Sequence, residues 1–275
     1  MTINCKGQLI DLSSPRVMGI LNVTPDSFHD GGQYKDEISI LKQVETMLSE
    51  GATFIDVGGY SSRPSADFVS EDEELGRVIP VIEIILRHFP EALISVDTFR
   101  SRVAIKSIKA GATLINDISA GHLDGDMLST VGQLGVPYIM MHMRGNPKTM
   151  QQQTHYNDLI KDINLYFAER IAKAHTEKIN DIIIDPGFGF AKTLEQNYEL
   201  LNNMELLQIA DKPILVGVSR KSMIYKTLNA TSNDALNGTT ALHMVALQKG
   251  AKILRVHDVK EAVECVTLFN QLTNH

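Results

Sequence analysis

The sequence has no run of about 18 apolar residues, the least that would cross a bilayer as a helix. Its start, Met1 to Lys6, also lacks the apolar stretch of a signal peptide. A soluble, unexported protein is expected. Cysteine is nearly absent: only Cys5 and Cys265 occur, near opposite ends of the chain. Two such residues argue against a disulfide framework or a zinc cluster and fit a reducing cytoplasm. Positive charge is not in excess either. With 26 Lys and Arg against 33 Asp and Glu the net charge is −7, so no basic face is expected for nucleic acid, and any anionic ligand must be gripped locally. Low-complexity segments, long linkers and extended charge runs are missing. The densest acidic stretch, Glu71-Asp72-Glu73-Glu74 after Ser70, reads as the solvated first turn of a helix, where carboxylates suit the dipole.

What is present is a repeat of short apolar runs and longer amphipathic stretches, the pattern of β-α units around a parallel sheet. Eight runs read as strands: Val17 to Leu21, Thr53 to Val57, Leu93 to Val96, Thr113 to Ile115, Tyr138 to Met141, Ile182 to Ile184, Ile214 to Val216 and Ile253 to Val256. Gly51, Gly111, Gly135 and Gly250 punctuate the passage from helix to strand, where a left-handed conformation is wanted. Ahead of the first run, Ile3 to Leu12 alternates apolar and polar residues around Lys6-Gly7. That predicts an N-terminal β-hairpin able to close the lower end of a barrel. Doubly wound sheets alternate strands and helices too, but eight units with no G-x-G-x-x-G after the first strand favour the closed α/β form, a (β/α)8 TIM barrel. At 275 residues and 43% hydrophobic composition, one domain over residues 1–275 is expected.

In such barrels ligands meet the C-terminal ends of the strands. Here those ends carry Asn22, Asp56 with Gly58 and Gly59, Asp97, Asn116, His142, Asp185, Ser219-Arg220-Lys221, and Arg255 with His257. Any one of them could be a helix cap or an Asx-turn. Capping does not call for several carboxylates, two amides, a lysine and an arginine converging on one mouth.

Eight segments then fall in order along nearly the whole chain: MGILNVTPDSF (Met18 to Phe28), DVGG (Asp56 to Gly59), SVDT (Ser95 to Thr98), INDIS (Ile115 to Ser119), MHMRGNPKTMQ (Met141 to Gln151), DPGFGF (Asp185 to Phe190), SRKS (Ser219 to Ser222) and RVHDV (Arg255 to Val259). In these the chain resembles the dihydropteroate synthases. The resemblance implies a transferase of folate biosynthesis that condenses 6-hydroxymethyl-7,8-dihydropterin diphosphate with p-aminobenzoate, giving 7,8-dihydropteroate and pyrophosphate. It implies that pyrophosphate leaves with cationic character on the pterin methylene before the arylamine attacks.

On that resemblance Asp97, Asn116, Asp185 and Lys221 would bind the pterin edge, with Met140 against its face, although Met140 reads equally well as barrel core. Arg255 would stack on the ring and reach the diphosphate, helped by Asn22, Arg63 and His257. Asp97, Lys221 and Arg255 are the expected catalytic residues. The family also implies magnesium (Mg2+), for which Asn22 would be the protein contact. For p-aminobenzoate the candidates are Phe28, Ser61, Ser62, Pro64, Phe190, Lys221 and Ser222, the last opening a helix. Phe28, Phe190 and Pro64 have simpler readings as loop anchors and a turn. Sulfonamides are expected competitors, and a cytoplasmic homodimer without nucleic-acid or membrane partners is implied.

Two loops depart from the family pattern. His29 replaces the usual serine, and GGYSSRPSA stands where GGESTRPGA is commoner, which changes Tyr60, Ser62 and Ser65. Two rival functions stay open on sequence alone. A methyltetrahydrofolate-binding methyltransferase would also grip a pterin, but has no diphosphate to hold. A silent pterin-binding subunit predicts damage among the strand-end residues, and none is damaged.

Overall fold

The computed structural model describes residues 1–23, 33–60 and 68–273. Two short strands, β1 (Thr2–Cys5) and β2 (Gln8–Asp11), pair antiparallel. Lys6 and Gly7 make the turn at φ 51° and 90°, the two positive angles that match the twist of a two-residue hairpin. Eight parallel strands then close a barrel in the order β10-β3-β4-β5-β6-β7-β8-β9. They are β3 (Arg16–Asn22), β4 (Phe54–Gly58), β5 (Leu93–Asp97), β6 (Leu114–Asp117), β7 (Tyr138–Met141), β8 (Ile182–Asp185), β9 (Ile214–Val216) and β10 (Ala251–Val256). The hairpin and the (β/α)8 barrel are those expected from the sequence.

Several strands run past the last apolar residue, through Asn22, Gly58, Asp97, Asn116 and Asp185. These residues are therefore held by the ladder and inherit its two-residue alternation. Inward positions near the strand starts form one apolar layer of Met18, Phe54, Leu114, Ile139, Ile183, Leu215 and Ile253. Ile3, Cys5, Ile10 and Leu12 of the hairpin pack into that layer and seal the lower end.

The outward residues, such as Val17, Ile55, Ile94, Ile115, Ile184, Val216 and Leu254, pack in a larger cluster with the helices. Those are α1 (Gln33–Ser49), α2 (Glu71–His88), α3 (Ser101–Ala110), α4 (Met127–Leu134), α5 (Leu159–Thr176), α6 (Leu194–Asn202), α7 (Ser222–Thr227), α8 (Leu236–Gln248) and α9 (Val259–Thr273). Strands buried on both faces explain why the runs read as continuously apolar. Gly51, Gly111, Gly135 and Gly250 all have positive φ between helix and strand, as expected.

Ser70 caps α2 by accepting from the Glu73 N–H. The acidic turn behind it is not wholly solvated, which corrects the sequence reading. Glu74 is fully buried on the same face as Val78, Ile82 and Ile85. It pairs with Arg100 at 2.5 Å and accepts from the Thr98 hydroxyl at 2.7 Å. Burial raises its pKa against the pull of Thr98 and Arg100.

Candidate active site

At the upper end the same alternation turns polar side chains inward. Asp56, Asp97, Asn116, Asp185 and Arg255 meet there, with Lys221 reaching in from the start of α7. Arg255 crosses the mouth. Its Nε donates to Asp56 at 2.6 Å and one terminal nitrogen to Asp97 at 2.7 Å. The same Asp56 oxygen accepts from the Asn116 amide nitrogen at 3.0 Å, an arrangement that spends the amide's donor side on Asp56 and keeps its carbonyl oxygen as an acceptor. The other Asp56 oxygen is buried and has no hydrogen-bond partner among the described residues.

Asp185 accepts from the Gly187 N–H at 2.8 Å. The Lys221 Nζ donates to the Phe188 carbonyl and lies 5.0 Å from the centre of the Phe190 ring. Residue 217 is glycine, and a Cβ there would stand 3.9 Å from that Nζ. Ile118, Met141 and Phe190 supply the apolar wall. The result is a slot with acceptors and donors along one edge and apolar faces, which suits a flat heterocycle. A wider cleft of about 470 Å³, lined by Ser13, Lys252 and Asn270 among others, opens elsewhere. It holds none of these groups.

Three carboxylates beside two cations in a low-dielectric mouth perturb one another. Burial pushes the Asp97 carboxyl up to about 7; Arg255 opposes this, and the charges of Asp56, Glu74 and Asp117 add to it. Asp185 is raised by burial against Lys221 and the Gly187 N–H. Burial brings Lys221 down to about 8, against Asp185.

Most of the expected residues gather here. Asn22 ends β3 beside the mouth: a Cβ on Gly58 would lie 3.8 Å from its carbonyl oxygen and 3.8 Å from an Asp97 oxygen. His257 follows β10, with Nδ1 3.1 Å from the Ser219 hydroxyl, which also accepts the His257 N–H at 3.2 Å. Ser222 opens α7 directly after Lys221. Phe28, Ser61, Ser62, Arg63 and Pro64, with His29 and Ser65, lie outside the described residues.

Two expectations are corrected. Met140 points outward into the cluster between barrel and helices, and Met141 lines the mouth instead. Alternation requires this, because Ile139 faces the barrel interior. His142, one of the polar strand ends, also turns away, its ring packed edge-on to Tyr166 at 4.8 Å. Tyr60 packs against Phe99 at 5.1 Å and beneath the Arg100 guanidinium at 5.4 Å. Asp56 was visible as a strand end, but its hold on Arg255 was not. Ile118 and Gly217 were also missed as parts of the mouth; only position after a strand could have signalled them.

A family model described as pterin binding enzyme matches residues 18–257. The dihydropteroate synthase of Escherichia coli K12 is 47% identical over 268 residues, covering 97% of this chain and 94% of its own. A crystal structure of the Yersinia pestis dihydropteroate synthase in complex with a sulfonamide drug superposes with a TM-score of 0.93 at 44% identity, covering 100% of both chains. The Xanthomonas albilineans enzyme in complex with 7,8-dihydropteroate gives 0.90 at 36% identity, covering 100% of this chain and 99% of that one.

Proposed function

Because the chain belongs to the pterin-binding enzyme family, among the dihydropteroate synthases, we propose how its mouth performs their reaction. The protein is a dihydropteroate synthase of folate biosynthesis, joining the pterin diphosphate to p-aminobenzoate. The observation that carries the assignment of roles is the meeting of Asp97, Asn116, Asp185, Lys221 and Arg255 around one slot.

A pterin's pyrimidine edge offers an amino group, a ring N–H and a carbonyl. Asp185 accepts the first two as a bidentate pair, the Asn116 oxygen freed by Asp56 accepts from the remaining edge, and Lys221 donates to the carbonyl or a ring nitrogen. Met141, rather than Met140, packs on one face with Ile118 and Phe190 nearby. Arg255 stacks its guanidinium on the ring and turns N–H groups to the diphosphate, joined by Asn22, His257 and Arg63.

As the C–O bond to pyrophosphate breaks, negative charge grows on the leaving group and positive charge on the pterin methylene. Arg255 and His257 stabilise the first, and the Asp97 carboxylate the second. The neutral arylamine then forms the C–N bond and loses its proton, a step that needs little general-base help. Phe190, Lys221 and the Ser222 N–H, with Phe28, Ser61, Ser62 and Pro64, hold p-aminobenzoate and its carboxylate. Sulfonamides compete there.

Magnesium suits this donor set. Among the described residues no group of three His, Cys, Asp or Glu could hold a metal. Mg2+ prefers oxygen ligands and is commonly held by phosphates and water, so the Asn22 carbonyl oxygen beside Gly58 suffices as the protein ligand. When bound, the ion would neutralise charge on the diphosphate. No described helix is long and apolar enough to cross a membrane; a cytoplasmic homodimer is our reading from the family resemblance.

The test is pyrophosphate release from the pterin diphosphate with and without p-aminobenzoate. Release that requires the arylamine and matches dihydropteroate formed is expected. Methyl transfer from methyltetrahydrofolate without pyrophosphate release would favour the methyltransferase, and pterin binding without turnover the silent subunit.

A further inference from the structure

Lys192 follows the DPGFGF segment by two residues and is 3% exposed. It lies behind the mouth, between the turn that follows β8 and the Thr193 cap of α6. Its Nζ is 3.0 Å from His142 Nδ1, 3.0 Å from the Gly187 carbonyl and 3.0 Å from the Phe190 carbonyl. Three N–H groups thus meet three lone-pair acceptors. The acceptor role of Nδ1 assigns His142 its Nε2–H tautomer. Burial holds the His142 pKa well below its ordinary value, consistent with a neutral ring.

Among the described residues no carboxylate touches this nitrogen. Burial brings its pKa down to about 7; Asp185 opposes this, and the charges of Lys221 and Arg144 add to it. A buried lysine without an anionic contact is expensive, and apolar replacements of buried charges are often neutral or stabilising. Folding therefore does not account for its presence.

What it holds does. Gly187 and Phe190 bracket the turn that begins at Asp185, and both carbonyls are drawn back onto Lys192. Between them the Phe188 carbonyl faces the mouth and accepts from Lys221. The Gly187 N–H, on the same turn, is the donor to Asp185. Two lysines thus clamp opposite sides of one turn, and the rear one sets the peptide planes that the front one uses.

We propose that Lys192 is a positioning residue for the pterin site: bonded from behind to His142, Gly187 and Phe190, its ammonium fixes the 185–190 turn and keeps Asp185 and Lys221 aligned with the pterin edge. The inference rests on reading this mouth as the pterin site.

Lys192→Met keeps the length of the stem and removes the three donors. The dissociation constant of 6-hydroxymethyl-7,8-dihydropterin diphosphate, measured by calorimetry without p-aminobenzoate, should rise at least about tenfold. The melting temperature should hold or rise, because a buried charge is gone. A purely structural lysine predicts the reverse, a lower melting temperature with unchanged pterin affinity in the folded fraction, and that result overturns the proposal. If the variant does not fold, His142→Leu, which removes one of the three acceptors, decides: pterin affinity about threefold weaker supports the clamp, and wild-type affinity overturns it. Wild-type protein that bound no pterin would instead defeat the reading of the site.

Discussion

The two ends of the barrel are built from the same eight strands and do opposite things. At the lower end the inward residues are Met18, Phe54, Leu114, Ile139, Ile183, Leu215 and Ile253, closed over by the hairpin. Two residues further along, the same inward rows carry Asp56 after Phe54, Asn116 after Leu114, Asp185 after Ile183 and Arg255 after Ile253. One end is favourable on its own account, through apolar burial. The other holds carboxylates whose pKa values are raised by burial, and a lysine lowered by it, so the fold is charged for groups whose use comes only with substrate. Stability and chemistry are thus separated by about two residues of strand, and each end should be breakable without the other.

The largest expected effects are at the upper end. Lys221→Ala or Asp185→Ala removes a charged partner of the pterin edge, and kcat/KM should fall on the order of 10³-fold. Thermal unfolding should show a fold intact and no less stable than wild type, since a group held away from its preferred ionisation is removed. Wild-type-like rates in either variant would sink the assignment of the pocket. Next comes the lower end. Phe54→Ala empties a fully buried ring site and should lower stability by about 3–5 kcal/mol in urea unfolding. At 25 °C the surviving folded enzyme should keep kcat within about twofold. A large loss of kcat in folded Phe54→Ala protein would show that the two ends are coupled.

How far this division could be read without coordinates depends on what kind of neighbour each residue has. Strands of a parallel sheet are apolar on both faces, so their positions were legible as short runs, and the polar residues after them stood out. For the same reason the face was not legible. In Tyr138 to Met141 every residue is apolar and every residue is buried, so nothing in the run distinguishes Met140 from Met141. Only the register against β6 and β8 does. Contacts between distant residues were hidden as well: Asp56 and Arg255 are 199 positions apart, and neither residue type implies the other. Glu74 was masked by its acidic neighbours, although it stands four residues before Val78 and so on the apolar face of the helix. Lys192 looked like any loop lysine, and its burial follows from how the turn after β8 folds back on His142. The Arg63 and Pro64 loop lies outside the described residues.

The smallest predicted effect tests the upper end on itself. Asp97 titrates near 7 because burial and the charges of Asp56, Glu74 and Asp117 outweigh Arg255. Its folded value is raised above the unfolded carboxylate range, so the folded protein binds the extra proton between about pH 4 and pH 7. Over that window the ligand-free fold should gain stability as pH falls, because the folded state takes up more protons than the unfolded one. Activity should move the other way. A neutral Asp97 can neither hold Arg255 by charge nor oppose the cationic pterin methylene, so kcat/KM for the pterin diphosphate should decline below about pH 7, approaching tenfold per pH unit. Asp185 is also raised by burial and needs a control. In Asp97→Asn the acid limb near 7 should vanish from an already lowered profile, and the gain in stability toward pH 4 should shrink with it. A wild-type profile that stays flat from about pH 7 to pH 5 would mean that Asp97 keeps its charge in the free enzyme. The Arg255 pair would then dominate the mouth, and the upper end would be far less strained than its crowding of carboxylates implies.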